Sequence, residues 1–372
     1  MRLFLLFCTL AMISEVVASA QAPGRRKRTV TDEEVKRVHD STILIDTHND
    51  VTSFTVDGYD IGQRETDGKH MTDLPRMRAG GMGAQFFAAY VAASYAKENK
   101  SADRALQMID TVLHDIVEKY PNDFLFVTSS EGIRKAHEEH KIGALIGIEG
   151  GHAIEDSLRL LRDFYDLGVR YMTLTHTNSN GWADSSGDEH KPNNGLSAFG
   201  KDVVHEMNRL GMMVDIAHVS DKTFWDALAA SQAPIFSSHS SCRALCDVPR
   251  NMTDEMIKAL GEKGGVIQIN FSCGFLKAGA GSGGRPRATL ADVVNHINHA
   301  VSIAGVDAVG LGSDFDGISC APEGLDSVDK WPNLTRALLE EGYSAEEVRK
   351  IYGENTLRVM AAVEQTAKSL RK

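Results

Sequence analysis

The chain is 372 residues long, 42% hydrophobic, 24% charged and 7% aromatic; this is the composition of an ordinary globular protein and excludes disordered, collagenous and coiled-coil classes. Its 51 acidic residues against 40 basic ones give a net charge of -11, so nothing draws phosphate backbones or anionic lipid, and no nucleic-acid partner is expected. Fourteen histidines among many carboxylates suit a bound cation better than a bound anion.

At the N-terminus, Met1-Arg2, the apolar run from Leu3 to Ile13 and the small-x-small triplet Ala18-Ser19-Ala20 predict a signal peptide over residues 1–20, cleaved near Ala20. Glu15 interrupts the run before it reaches the roughly 20 apolar residues of a membrane span. The protein is therefore expected to be secreted or periplasmic, where disulfides are permitted. Cys242, Cys246, Cys273 and Cys320 admit three pairings, with free buried thiols as the alternative. Residues 21–40, including the basic run Arg25 to Arg28, read as a solvated lead-in, and residues 41–372 as a single catalytic domain. The polar, basic end from Val363 to Lys372 carries no anchor signal.

From Ile43 onward, short β-branched apolar runs alternate with longer amphipathic segments. The strand candidates are 42–47, 84–91, 144–149, 170–176, 213–219, 235–239, 266–271 and 308–314, eight in all. Helical patterns fall at 101–120, 157–167, 200–210, 222–231, 254–263, 290–304 and 345–366. Near-continuous apolar strands with intervening helices predict an α/β protein with a parallel sheet covered on both faces. Eight such units point to an α/β (β/α)8 TIM-type barrel, with a doubly wound open sheet as the alternative.

Metal-capable side chains gather at the C-terminal ends of these strands, the active face of such a barrel. The first strand ends in His48-Asn49-Asp50, which places a nitrogen and an oxygen ligand on one side of the strand. Glu149 closes the third strand; a carboxylate leaving an apolar strand costs several kcal/mol unless paired, and a cation or a salt bridge would relieve it. His176 follows the fourth strand, His218 the fifth and His239 the sixth, and Gly312-Ser313-Asp314-Phe315-Asp316-Gly317 closes the eighth. One such histidine is more often a hydrogen-bonded core residue. Five nitrogen and oxygen ligands with no cysteine among them favour a hydrolytic Zn2+ pair.

Asp46-Thr47-His48-Asn49-Asp50, Glu149-Gly150-Gly151-His152, Asp215-Ile216-Ala217-His218, Ser237-Ser238-His239-Ser240-Ser241, Arg250-Asn251-Met252, Gly312 to Gly317 and Gly353-Glu354-Asn355 together resemble the membrane dipeptidase (renal dipeptidase) family of metallopeptidases, within the amidohydrolase-like barrels. These motifs run in order across roughly residues 40 to 365. The resemblance implies a (β/α)8 TIM-type barrel of the metal-dependent hydrolase type, a two-zinc enzyme that cleaves dipeptides, often with a D-residue at the C-terminal position, and in some members opens β-lactams. It further implies that His48 and Asp50 bind one zinc, that His218 and His239 bind the other, and that Glu149 bridges them. His176 would contact the substrate at the scissile carbonyl, Arg250 would bind its free carboxylate, and Asp314 would handle protons.

Elementary chemistry agrees. Two dications about 3.5 to 4 Å apart require an anionic bridge, and coordination lowers the pKa of water from about 15.7 toward 7, so that hydroxide attacks without a Ser or Cys nucleophile. The planar fork of Arg250 suits a carboxylate and so selects short peptides with a free C-terminus. The mammalian members' anchor signal is missing and their cysteine pattern is only partly matched, so a homodimer is left open. The competing functions are a binuclear-metal amidohydrolase acting on another amide, a lactam or a phosphoester, and a catalytically inactive secreted metal-binding homologue.

Overall fold

The computed structural model describes residues 25–371. The expected signal peptide, residues 1–20, lies outside them. Nine strands form one parallel sheet: β1 Leu44–Asn49, β2 Met82–Tyr90, β3 Phe124–Phe126, β4 Ile142–Glu149, β5 Val169–Thr173, β6 Met213–Asp215, β7 Phe236–Ser240, β8 Val266–Ile269 and β9 Val309–Leu311. Eight of them run around the barrel in the order β1-β2-β4-β5-β6-β7-β8-β9, while β3 pairs only with the first residues of β4. The expected (β/α)8 architecture is the observed one. Just past the strand ends, β9 meets β1 as Asp50 N–H donates to Phe315 O at 2.9 Å and Asp314 N–H to His48 O at 3.0 Å.

The helices form for local reasons and then bury one face on the sheet. Ala198–Leu210 starts at Ser197, whose hydroxyl accepts the Gly200 N–H, and stops at left-handed Gly211; between them Val203, Val204 and Met207 are buried. The expected helix 101–120 is α-helical over Ser101–Asp110 and π-helical over Thr111–Glu118. Near the C-terminus, Ala345–Arg349, a π-helical stretch Lys350–Glu354 and Asn355–Leu370 follow one another without a break. Gly353 sits where they cross beneath the barrel, and a Cβ there would overlap Ile43 O of the chain entering β1.

Tyr171 fills the centre of the barrel. Its ring centroid lies 5.4 Å from Phe86 of β2 and 5.4 Å from Phe236 of β7, and its hydroxyl reaches His48 of β1. Gly147 of β4 makes this possible, since a Cβ there would overlap the phenol ring.

Residues 32–40 depart from the expected solvated lead-in, while the basic run before them stays exposed. Asp32–Asp40 is a helix capped by Thr31, with Val35, Val38 and His39 buried. The His39 ring is held between Thr335 Oγ1 at 2.8 Å and Gly80 O at 2.9 Å. Three of the four cations of the basic run meet opposite charges: Arg25 pairs with Glu347 at 2.7 Å and stacks 3.9 Å from the Tyr343 ring, Lys27 pairs with Glu341, and Arg28 with Glu34. Cys273 and Cys320 form a disulfide, and Cys242 and Cys246 are free and buried. Among the described residues, no helix is long and apolar enough to cross a membrane.

Candidate metal centre

Four strand ends each deliver one or two polar side chains to the same few ångströms. His48 and Asp50 arrive from β1, Glu149 from β4, His218 from the turn after β6, and His239 from β7. The Glu149 Oε1 lies 3.0 Å from His218 Nε2, 3.4 Å from His239 Nε2, 3.6 Å from His48 Nε2 and 3.7 Å from His176 Nε2. Four expected histidines thus converge on one carboxylate. Asp314 joins them, its nearest ligand atom grouping with those of His48 and His239 within 4.8 Å. His48, Asp50 and Glu149 form a second such group, and Glu149, His176 and His218 a third.

Two features fit this donor set to cations. The Nε2 of His48 and the Oδ2 of Asp50 are buried without a hydrogen-bond partner, 3.3 Å apart. The Nε2 atoms of His218 and His239 lie 3.0 Å apart and both adjoin Glu149 Oε1, so one ion beside them could take both as ligands. Burial first, then Arg250 beside His218 and His48 beside His239, hold both imidazoles well below the ordinary histidine range, so they are neutral and able to ligate. Burial would raise the Glu149 carboxyl, but the facing imidazoles of His48 and His176, with the His218 and His239 rings close against it, hold it well below the usual range. His218 and Asp314 both have positive φ, 65° and 62°, strain of the kind that gathers at functional sites.

The two acids of the last strand end separate. β9 stops at Leu311, and both Asp314 and Asp316 are left-handed, so the alternation that would aim them alike is lost. The Asp314 Oδ2 accepts from Asn270 Nδ2 at 2.8 Å while the group stays beside Asp50; burial, then Asp50, push its pKa up to about 7. Asp316 turns away and accepts the Met71 N–H at 2.7 Å. Arg250 lies on the β7 side of the cluster, donating to Ser240 Oγ at 2.8 Å and His239 O at 2.7 Å.

Several supporting residues escape sequence reasoning. Tyr171 lies 2.7 Å from His48 Nδ1, Asn270 holds Asp314, and Tyr90 packs its ring 4.8 Å from that of His176. Asp215, a carboxylate inside an apolar strand, carried a signal that could have marked it.

A parallel eight-stranded barrel with a histidine–carboxylate cluster at its strand ends is the scaffold of a metal-dependent hydrolase. A family model described as membrane dipeptidase, peptidase family M19, matches residues 32–372; the chain belongs to that family and is a peptidase. A metallo peptidase from Rhodobacter sphaeroides, solved with a phosphinate mimic of the dipeptide L-Ala-D-Ala, is 27% identical, the alignment covering 87% of this chain and 100% of that one, with a TM-score of 0.77. The dipeptidase AC, a metallo peptidase of family M19, is also 27% identical, with 87% and 99% covered and a TM-score of 0.77. The probable dipeptidase PvdM from Pseudomonas aeruginosa, 24% identical with 90% and 98% covered and a TM-score of 0.83, shares the fold.

Proposed function

We propose that this chain is a secreted, zinc-dependent dipeptidase that acts on dipeptides with a free C-terminal carboxylate, L,D-dipeptides among them. The observation that carries this reading is the single oxygen of Glu149 set among the Nε2 atoms of four histidines. His48 and Asp50 would hold one ion, His218 and His239 a second, with Glu149 between them. Such a pair would supply Lewis-acid polarisation of the scissile carbonyl and a water acidic enough to serve as nucleophile near neutral pH.

The chain's own residues supply the rest. His176, held only 17% exposed against Glu149, is placed to donate to the carbonyl oxygen as charge develops there. Asp314 has one oxygen occupied by Asn270, leaving Oδ1 to take a proton from the attacking water and pass it to the leaving amine. Arg250 would present the remaining N–H groups of its guanidinium to the substrate's carboxylate, since His239 O and Ser240 Oγ each occupy only one. The phosphinate mimic of L-Ala-D-Ala bound by the Rhodobacter relative supports including L,D-substrates. Secretion is supported by the signal-like residues 1–20 and by the Cys273–Cys320 disulfide.

The test is a panel of L,L- and L,D-dipeptides, free and C-terminally amidated, assayed with and without chelator. Free dipeptides should be cleaved, and chelation should abolish the activity until zinc is restored. Amidation should lower kcat/KM by about 10- to 150-fold, the loss of a charge-assisted bidentate contact, and Arg250→Ala should erase that difference. Equal cleavage of free and amidated substrates by the wild type would remove Arg250 from the site.

A further inference from the structure

One buried carboxylate beside the cluster has no part in the reading above. Asp215 ends β6 with no solvent exposure. Its Oδ1 accepts the backbone N–H groups of Ala217 at 3.0 Å and Ser238 at 2.8 Å. Its Oδ2 accepts the hydroxyls of Thr173 and, at 2.6 Å, of Ser238. The same Ser238 Oγ lies 2.7 Å from Nδ1 of His239.

These contacts fix where the protons lie. A carboxylate accepts only, so the Ser238 hydroxyl proton points at Asp215. That leaves only lone pairs on Ser238 Oγ for the imidazole, so Nδ1 of His239 carries a proton and Nε2 is bare. The bare Nε2 faces Glu149 Oε1 at 3.4 Å. His48 differs: its Nδ1 meets the phenol of Tyr171, which can donate or accept and so leaves the tautomer undetermined.

We propose that Asp215 and Ser238 are positioning residues that lock His239 in the tautomer with a bare Nε2, so that the protein presets one of the two metal positions before an ion arrives. The proposal rests on the two-zinc reading. It separates from a packing role through Asp215→Asn. The two amides at Oδ1 can only donate, so the carboxamide oxygen must stay there and its NH2 must take the Oδ2 place. That NH2 would donate to Ser238, and Ser238 would turn its own proton toward His239 Nδ1. The Nε2 would then carry a proton and could not ligate.

Zinc affinities measured by chelator competition on the full chain provide the test. Ser238→Ala should weaken one of two equivalents by about 10-fold, the low end for a lost orienting partner. The nearly isosteric Asp215→Asn should weaken the same equivalent by about 100-fold or more, and the double variant should return to the Ser238→Ala level because no hydroxyl remains to relay the reversed bond. A packing role predicts the opposite order, with Asp215→Asn mild and the double variant the worst. Asp215→Asn binding zinc as well as Ser238→Ala would overturn the relay. If Asp215→Asn fails to fold by circular dichroism, Ser238→Ala decides: two equivalents bound with wild-type affinity would overturn it equally. Wild-type protein that binds no zinc would instead sink the two-zinc reading itself.

Discussion

Glu149 concentrates the site's electrostatics in one side chain. Its oxygen approaches four imidazoles, so Glu149→Gln removes the negative charge common to both candidate metal positions. Zinc content should fall at both, whereas His239→Ala should lower mainly one; elemental analysis after zinc reconstitution finding the same loss in both variants would contradict the bridging role. Asp314 and Asp316 offer a second contrast. Asp314 lies beside Asp50 and Asp316 on the Met71 loop, so Asp314→Asn should keep its metal and lose about 10^2- to 10^4-fold in kcat. Asp316→Asn should leave kcat within a few-fold. The reverse ranking in steady-state assays would exchange their roles.

Elements matter here through what they hold apart as much as through what they join. β4 and β5 carry a linked pair in which Gly147 leaves the space that the Tyr171 ring occupies, and Tyr171 in turn meets His48. Gly147→Ala therefore does more than crowd the barrel interior. It should cost about 1–3 kcal/mol in denaturant unfolding, the usual penalty of overpacking, and also weaken zinc binding through the displaced phenol. Unchanged stability and zinc affinity together would show that the barrel centre yields to the methyl group. Short elements were also the hardest to foresee. β3 is three residues long, pairs with β4 alone, and its Phe124-Leu125-Phe126 gives no alternation to read.

Across the whole molecule, the helical shell ties stability to pH. Glu206 on Ala198–Leu210 accepts from Arg209 at 2.7 Å and from Arg162 of the neighbouring helix Leu158–Asp166 at 2.5 Å, and these partners, Arg209 first, hold its carboxyl at about 2 against an ordinary 4.5. The folded state thus binds this proton less readily than the unfolded chain. The contribution is complete above pH 4.5 and is lost as pH falls from there toward 2. Both arginines are more than 40% exposed, so solvent screening reduces it to about 1 kcal/mol. Glu206→Gln should unfold more easily than wild type by that amount at pH 7, with the gap closing below pH 3; a gap independent of pH would assign the effect to packing.

The alternation of β-branched runs with amphipathic segments was enough to place eight barrel strands, because a parallel strand covered on both faces must be apolar throughout and so stands out from its helices. Strand-end position likewise drew attention to His48, Glu149, His218 and His239, since polar groups at the end of an apolar run are either costly or useful. What the sequence could not decide was which atoms meet. Two acids spaced i, i+2 diverge because left-handed Asp314 and Asp316 break the pleat, a choice set by the contacts of Asn270 and the Met71 loop. The exposed basic run is ordered by Glu341 and Glu347, more than 300 residues away, which lie opposite it. The disulfide and the Asp215–Ser238–His239 chain arise in the same way. Side-chain period is local and legible, whereas the meeting of residues distant in sequence depends on barrel closure and loop conformation, which only the tertiary structure specifies.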